Sequence, residues 1–370
     1  MAASAARWHG GQPIGVGMKA NSVLKTVRNL RNAVSTNINR ARGVEFIPAN
    51  VATLSIETSS VCNLDCVFCA YGKKLSAKVT MPNELFASAI GQALELGFND
   101  YDLTPCTGDV FMDRHLFDKL AFLDATSGVK GYGFYTNFAV PRPKDIDRLA
   151  ALKKLSGIGI SVYGHDLDTF LKITRTTAAN YHRLVRNLEH ILAIHQRQNF
   201  QMHVALHAGR DSIRGRKSEI TDVLERFAQA GVSIKQQKNV YNNWGGYVTP
   251  QDVRELPVKV MGADAIYKNG ACVRLFTTVQ VMATGIVNGC ACRDADATLR
   301  LGDLTTTPLR DILSTTNPAY VTLIEEQQRG DFRSVCKSCD FYASIYHRSG
   351  SYKRNNVPLQ TLAQWRETAR

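Results

Sequence analysis

The chain has no run of about 18 apolar residues, so no segment reads as a membrane-spanning helix. Its first residues, MAASAARWHGGQPIGVG, lack the apolar stretch of a secretory signal. Acidic residues are scarce: 32 Asp and Glu against 45 Lys and Arg leave a formal charge of +13. Between residues 19 and 43 they are missing altogether, while six basic residues fall there. Such a charge suggests nucleic acid, but no extended stretch of residues 50–240 interleaves basic with aromatic side chains as a single-strand groove does. A nucleic-acid partner is therefore not expected. Nine cysteines in 370 residues are too sparse for a small secreted disulfide scaffold. The 44% hydrophobic content is ample for a large core and excludes global disorder.

What cysteine there is comes in groups. Cys62, Cys66 and Cys69 stand four and three apart within IETSSVCNLDCVFCAYGKK (56–74), just after the β-prone run VATLSIETSS. Thiolates this close in a loop can converge on one metal centre, and three of them do not complete the four-thiolate set of an ordinary iron–sulfur cluster. One iron would stay open to something other than protein. A zinc site or three unconnected cysteines are the alternatives. A second group, Cys272, Cys290, Cys292, Cys336 and Cys339, lies beyond residue 245. CVRLFTTVQVMATGIVNGCAC (272–292) reads as a β-hairpin turning at Gly285, and a distant Cys336-Lys-Ser-Cys339 can close a four-thiolate site with it. By spacing alone, zinc is a rival there too. Cysteine groups of this kind in an apparently unexported chain point to metal binding in a reducing compartment, and a cytoplasmic location is expected.

Residues 1–45 read as an N-terminal extension, floppy to Met18 and helical after it. Val23, Leu24, Val27, Leu30 and Val34 recur there at helical spacing. Such a basic amphipathic helix suits either contact with an anionic membrane surface or a partner, or packing on the domain with its basic face solvated. From about 50 to 240, β-rich runs alternate with amphipathic helical stretches. The strand candidates are 51–58, 100–105, 131–137, 157–164, 200–208 and 233–241, and five helical stretches separate them. That alternation predicts a parallel sheet of βα units, with any ligand at the C-terminal ends of the strands.

The C-x3-C-x2-C spacing, with Phe68 before the last cysteine, resembles the signature of the radical S-adenosylmethionine (radical SAM) superfamily. The resemblance implies an α/β fold: a partial (β/α)6 barrel, followed by a small α+β auxiliary-cluster domain. It implies a [4Fe–4S] cluster on Cys62, Cys66 and Cys69, with S-adenosylmethionine (SAM) ligating the open iron. Reduction of SAM would then release a 5′-deoxyadenosyl radical that abstracts a hydrogen atom, with an external one-electron donor such as flavodoxin or ferredoxin. Phe68 resembles the aromatic residue whose backbone faces the adenine. Thr107-Gly108-Asp109 resembles the Gly-Gly-Glu motif that receives the methionine amino group, with Thr107 for the first glycine and Asp109 for the glutamate. Asn137, Ser161 and Arg210 fall at later strand ends and are further cofactor-binding candidates. The second cysteine group resembles the auxiliary domains called SPASM and twitch. No cysteine follows Cys339, so the limit is one auxiliary [4Fe–4S] cluster, on Cys272, Cys290, Cys336 and Cys339. Cys292 is the spare that could replace Cys290.

The resemblance divides the chain at 1–45, 46–244 (barrel), 245–345 (auxiliary domain) and 346–370 (tail). Cys106, outside both cysteine groups, is a hydrogen-donor candidate, whereas a packed thiol is the commoner fate of such a residue. His165 and His207 are base candidates, with His203, Asp166 and Tyr163 beside them. The substrate class favoured is a small polar metabolite, a sugar or aminocyclitol, leading to dehydrogenation or epimerisation. Peptide maturation is the alternative within the family, and a non-catalytic zinc or nucleic-acid-binding protein is the alternative outside it.

Overall fold

The computed structural model describes residues 20–367 except 211 and 238, and for 20–28 it describes the backbone alone. The expectation for residues 1–18 lies outside these residues. Helix α1 (Ala20–Ala41) leads to the short strand β1 (Ile47–Pro48). Six strands follow: β2 (Thr53–Ile56), β3 (Asp100–Asp102), β4 (Gly131–Thr136), β5 (Leu155–Tyr163), β6 (Met202–His207) and β7 (Ser233–Gln237). Between them run α2 (Asn83–Glu95), α3 (Leu116–Ala125), α4 (Pro143–Ala150), α5 (Leu167–Thr174), α6 (Ala178–Gln198) and α7 (Glu219–Gln229). Strands β2 to β7 pair in chain order and all in parallel.

Period-two alternation gives these strands two different faces. Leu54, Tyr101, Phe134, Ile158, Ile160, Val204 and Leu206 share one buried core with Phe86, Leu120, Ile146, Leu188 and Phe227 of the helices. The intervening positions carry the polar Ser55, Asp102, Tyr135, Ser161, His203 and Lys235, with the small Gly133, Gly159 and Ala205 among them. A sheet buried on both faces would carry apolar residues on each. Here the second face carries polar side chains among its small residues.

Beyond β7 the chain departs from the expected single strand over 233–241. β7 stops at Gln237, and β8 (Val240–Tyr241) pairs instead with β9 (Lys259–Val260) in a separate parallel pair. The hairpin expected around Gly285 is present as β10 (Gln280–Val281) and β11 (Ile286–Asn288), followed by β12 (Arg300–Asp303). Gly285 takes φ +92, and a Cβ there would meet the Thr305 methyl at 2.9 Å, so the turn requires glycine. The first apolar run is partly helical, Arg274–Thr277, before it becomes strand. β10 pairs in parallel with β2, so the hairpin extends the main sheet to nine strands. The tail also returns: β13 (Leu359–Gln360) pairs with β1, and Trp365 packs edge-on against Phe276 and Tyr320.

Helix α5 was not among the expected helical stretches. Its sign is a short capping box: Asp166 accepts from Thr169 N at 2.9 Å, while the Thr169 hydroxyl approaches Asp166 N. Eight residues give too little apolar periodicity to stand out.

Candidate functional site

Strand β2 delivers the chain to the cysteine triplet. The loop beyond it is fixed to the end of α5 by Asp65 N and Val67 N, which donate to the carbonyls of Thr174 (3.0 Å) and Ile173 (2.9 Å). Phe68 fastens it to the strand ends. Its ring stacks on His207 at 5.3 Å and 17°, with Tyr241 at 4.8 Å and Tyr163 at 5.2 Å. Cys62, Cys66 and Cys69 belong to the same packed group as Leu64, Val67 and Phe68, and no other cysteine joins it. All three thiols are free.

These side chains fit an iron–sulfur cluster. Burial pushes Cys62 up to about 12, Cys69 to about 11 and Cys66 well above the usual thiol range. The neighbouring sulfurs push Cys62 and Cys66 further. Thiols gathered in a dry site thus oppose ionisation until a cationic centre compensates their charge. Beside them, Asn63 Nδ2 and Thr107 Oγ1 are buried without a hydrogen-bond partner, an expensive state that a bound group would relieve. Among the described residues no three His, Cys, Asp or Glu side chains stand at single-ion spacing.

The loop after β3 lies directly against the triplet. Gly108 has φ +137, and a Cβ there would come within 2.6 Å of the Ser59 carbonyl, so only glycine permits the approach. Asp109 N donates to the Val61 carbonyl at 2.8 Å, one residue before Cys62. The buried Asp109 carboxylate accepts from Asn137 N (2.7 Å), Thr136 Oγ1 (2.9 Å) and Phe111 N (3.0 Å). Burial raises it to about 6 in spite of these bonds. Its visible work is to clamp the end of β4, turning the Asn137 amide onto Asn63 Oδ1 (2.8 Å) and toward Cys62 Sγ (3.9 Å).

The histidines separate into two kinds. His165 is buried with both ring nitrogens engaged: Nδ1 faces the Ala208 carbonyl and Thr169 Oγ1, and Nε2 lies 3.2 Å from Asp166. It braces the start of α5. His207 is half-buried against Phe68, has no partner at Nδ1, and is lowered to about 4 by desolvation, so it is neutral at pH 7. Ser161 stands on β5 two residues before Tyr163, and Arg210 follows β6 with its carbonyl accepting from Gln236.

Cys106 is a packed thiol, and its position is informative. It lies in a small cluster with Ala70, which follows Cys69 in the chain, and with Met282 and Ala295, flanked by Trp244 and Tyr247, and within electrostatic reach of Cys292. Nothing in the sequence pattern singled out Glu57. Its buried carboxylate accepts from Cys106 N at 3.1 Å and from Ala283 N at 3.3 Å. It therefore ties the β3 loop to the β10–β11 turn. Asp296 makes a parallel link, accepting from Leu75 N and Ser76 N (2.7 Å each) and from the Tyr247 hydroxyl (2.6 Å). Replacing Glu57 with alanine strands two buried N–H groups and opens a cavity; a loss of about 3 kcal/mol in denaturant unfolding is expected.

The second cysteine group gathers Cys272, Cys290, Cys336 and Cys339 against the main core. Gln327 spans it, accepting from Cys272 N at 2.7 Å and donating to Cys336 Sγ at 3.3 Å. Phe341 N donates to Cys339 Sγ. Burial raises Cys336 to about 12 and Cys339 to about 11. Cys292 belongs beside Cys290: its N donates to Cys290 Sγ at 3.4 Å and the two thiols hydrogen-bond, with Cys272, Asp102 and Cys106 within electrostatic reach.

Asp102, on the second face of the sheet, is raised by burial to about 6 even with Thr104 N bonded to it. A carboxyl with a raised folded-state value favours folding less as pH climbs from about 4 through 6. Asp102→Asn removes that dependence. The variant should match the parent near pH 4 and exceed it by about 3 kcal/mol at pH 7, measured by urea unfolding.

Comparison with known proteins follows the same lines. The family model described as the Radical SAM superfamily matches residues 56–215, and the SPASM model, an iron–sulfur cluster-binding domain, matches residues 272–340. No curated protein matches the sequence. Among solved structures, BtrN in complex with AdoMet and 2-DOIA is 15% identical, with a TM-score of 0.51 over 81% of this chain and 96% of that one. Streptococcus suis SuiB bound to the precursor peptide SuiA is 12% identical, with a TM-score of 0.54 over 92% and 80%. The anSMEcpe structure with bound AdoMet is 15% identical, with a TM-score of 0.50 over 80% and 93%. At these identities the likeness is one of fold.

Proposed function

Because the chain belongs to the radical SAM superfamily and carries a SPASM domain, we propose that it is an enzyme that reductively cleaves SAM and abstracts a hydrogen atom from a small polar substrate. The family's cofactors come with that membership: a [4Fe–4S] cluster, SAM and auxiliary iron–sulfur chemistry. In this reading β2 to β7 wrap as a partial barrel, and Cys62, Cys66 and Cys69 hold the first cluster. SAM bound there supplies a 5′-deoxyadenosyl radical when an external donor delivers one electron.

This chain's own side chains do the rest. Phe68, fixed by His207 and Tyr241, holds the adenine side of the cofactor pocket. Thr107 and Gly108 offer the close backbone approach to the methionine amine, and Asp109 positions Asn137. Ser161 and Arg210 bind the polar end of the cofactor. Cys106 delivers a hydrogen atom if the outcome is epimerisation. Neutral His207 is the better base candidate of the two histidines, since His165 has no free nitrogen.

One observation carries the substrate class: the inner positions of the parallel strands include Asp102, Tyr135, Ser161, His203 and Lys235, with His203 Nε2 bonded to the Tyr135 hydroxyl at 2.7 Å. Such a surface suits hydroxyls and amines, so a sugar or aminocyclitol is favoured, ending in dehydrogenation or epimerisation. The test is label transfer. Reconstituted enzyme is incubated with deuterated sugars, aminocyclitols and peptides, and 5′-deoxyadenosine is analysed for deuterium. Label arriving from a polar metabolite supports the reading. Label arriving from peptides alone overturns the substrate class, and no SAM cleavage at all overturns the activity.

A further inference from the structure

Helix α1 is turned the wrong way round for an element that faces only water. Seven large apolar side chains are exposed among the described residues, and three of them, Leu30 (65%), Val34 (50%) and Ile38 (45%), form one row along α1. Their i, i+4, i+8 spacing puts them on a single face. Val44 just beyond the helix is a fourth, and exposed Tyr267 bonds to Asn37 beside them.

The side of α1 that meets the protein is polar. Asn29 donates to the Ala265 carbonyl (3.3 Å) and Asn39 to the Tyr346 carbonyl (2.9 Å). Arg40 bonds to the Gln328 carbonyl and to Asn269, and Thr36 is buried. Successive residues of an α-helix turn by about 100°, so Asn29, Thr36 and Arg40 lie roughly opposite the Leu30–Val34–Ile38 row. Amphipathic helices dock by their apolar face. Here polar bonds hold the helix while its apolar row is left pointing away.

Charge decides what covers that row. Residues 19–43 hold six basic residues and no acidic one, and Arg31 and Arg42 are exposed within or just beyond α1. A second copy would bring like charges together, and a nucleic acid has no use for leucine, valine and isoleucine in a row. An apolar stripe flanked by arginines matches the boundary between acyl chains and acidic headgroups. We propose that α1 lies flat on an anionic lipid surface, its Leu30–Val34–Ile38 row among the acyl chains and the exposed Arg31 and Arg42 among headgroup phosphates. Its 22 residues span about 33 Å, enough for an in-plane contact.

The test is co-sedimentation of the full, cofactor-loaded chain with phosphatidylcholine vesicles, with and without phosphatidylglycerol. Binding is expected with the anionic vesicles alone and should weaken in high salt. Leu30→Ser, Val34→Ser and Ile38→Ser together should weaken it about tenfold or more, as should Arg31→Glu with Arg42→Glu, since each basic residue near the surface contributes about fivefold. The thermal midpoint and SAM cleavage should not move, because these side chains are exposed and lie outside the site. No anionic-vesicle binding, equal binding to neutral vesicles, or binding indifferent to the triple substitution would each overturn the proposal. So would a stable dimer that the triple substitution separates, which would assign the row to a second copy.

Discussion

Changing Cys62, Cys66 and Cys69 together to alanine will drop 5′-deoxyadenosine production to background and remove about four of about eight irons from reconstituted protein. The size of the effect follows from having no substitute ligand. No other cysteine shares the triplet's packed group, so a lost thiolate leaves the cluster without an anchor rather than with a weaker one. The loop itself should survive. Its hold on the fold comes from backbone bonds to Thr174 and Ile173 and from Phe68 among three rings, none of which the substitution touches. Iron analysis and product assay on protein with parental circular dichroism check the expectation. SAM cleavage that persists in the triple variant would show that the triplet is not the cofactor's anchor.

Local pattern made much of this legible. The alternation of Ile158, Ile160 and Val162 with glycine, serine and tyrosine marks β5, and the cysteine spacing marks the loop after β2, because both signals sit within a few residues. What stayed hidden depends on contacts far apart in sequence. Nothing near Gln280 announces that β10 pairs with β2 across more than two hundred residues, nor that Leu359 returns to Pro48. Glu57 reads as one polar residue in a polar run until the fold brings Cys106 and Ala283 to its two oxygens. Asp109 is the intermediate case. Its place in a recognisable motif was evident, but its grip on Thr136 and Asn137 needed the end of β4 beside it. His165 is the converse: a histidine at a strand end looks catalytic, and only the fold supplies the partners that occupy it, Thr169 and Asp166 at the unexpected helix α5 and the Ala208 carbonyl after β6.

Replacing Cys336 and Cys339 with alanine should separate two activities that the parent couples. The auxiliary group packs against the main core through Cys272 and Gln327, whereas the triplet belongs to a separate packed group, so the change leaves Cys62, Cys66 and Cys69 untouched. SAM cleavage should continue at a rate within a few-fold of the parent, about four irons should be lost, and substrate product should fall below detection. Single changes sharpen the point. Cys290 and Cys292 hydrogen-bond to each other through their thiols, and both lie within electrostatic reach of Cys272. The spacing after Gly285 favours Cys290 as the fourth ligand, so Cys290→Ser should cost the auxiliary iron and Cys292→Ser should retain it. Iron loss in the Cys292 variant alone would make Cys292 the fourth ligand. Full product formation by the Cys336/Cys339 variant would mean that electrons from the substrate radical leave by a route that does not pass through the second group.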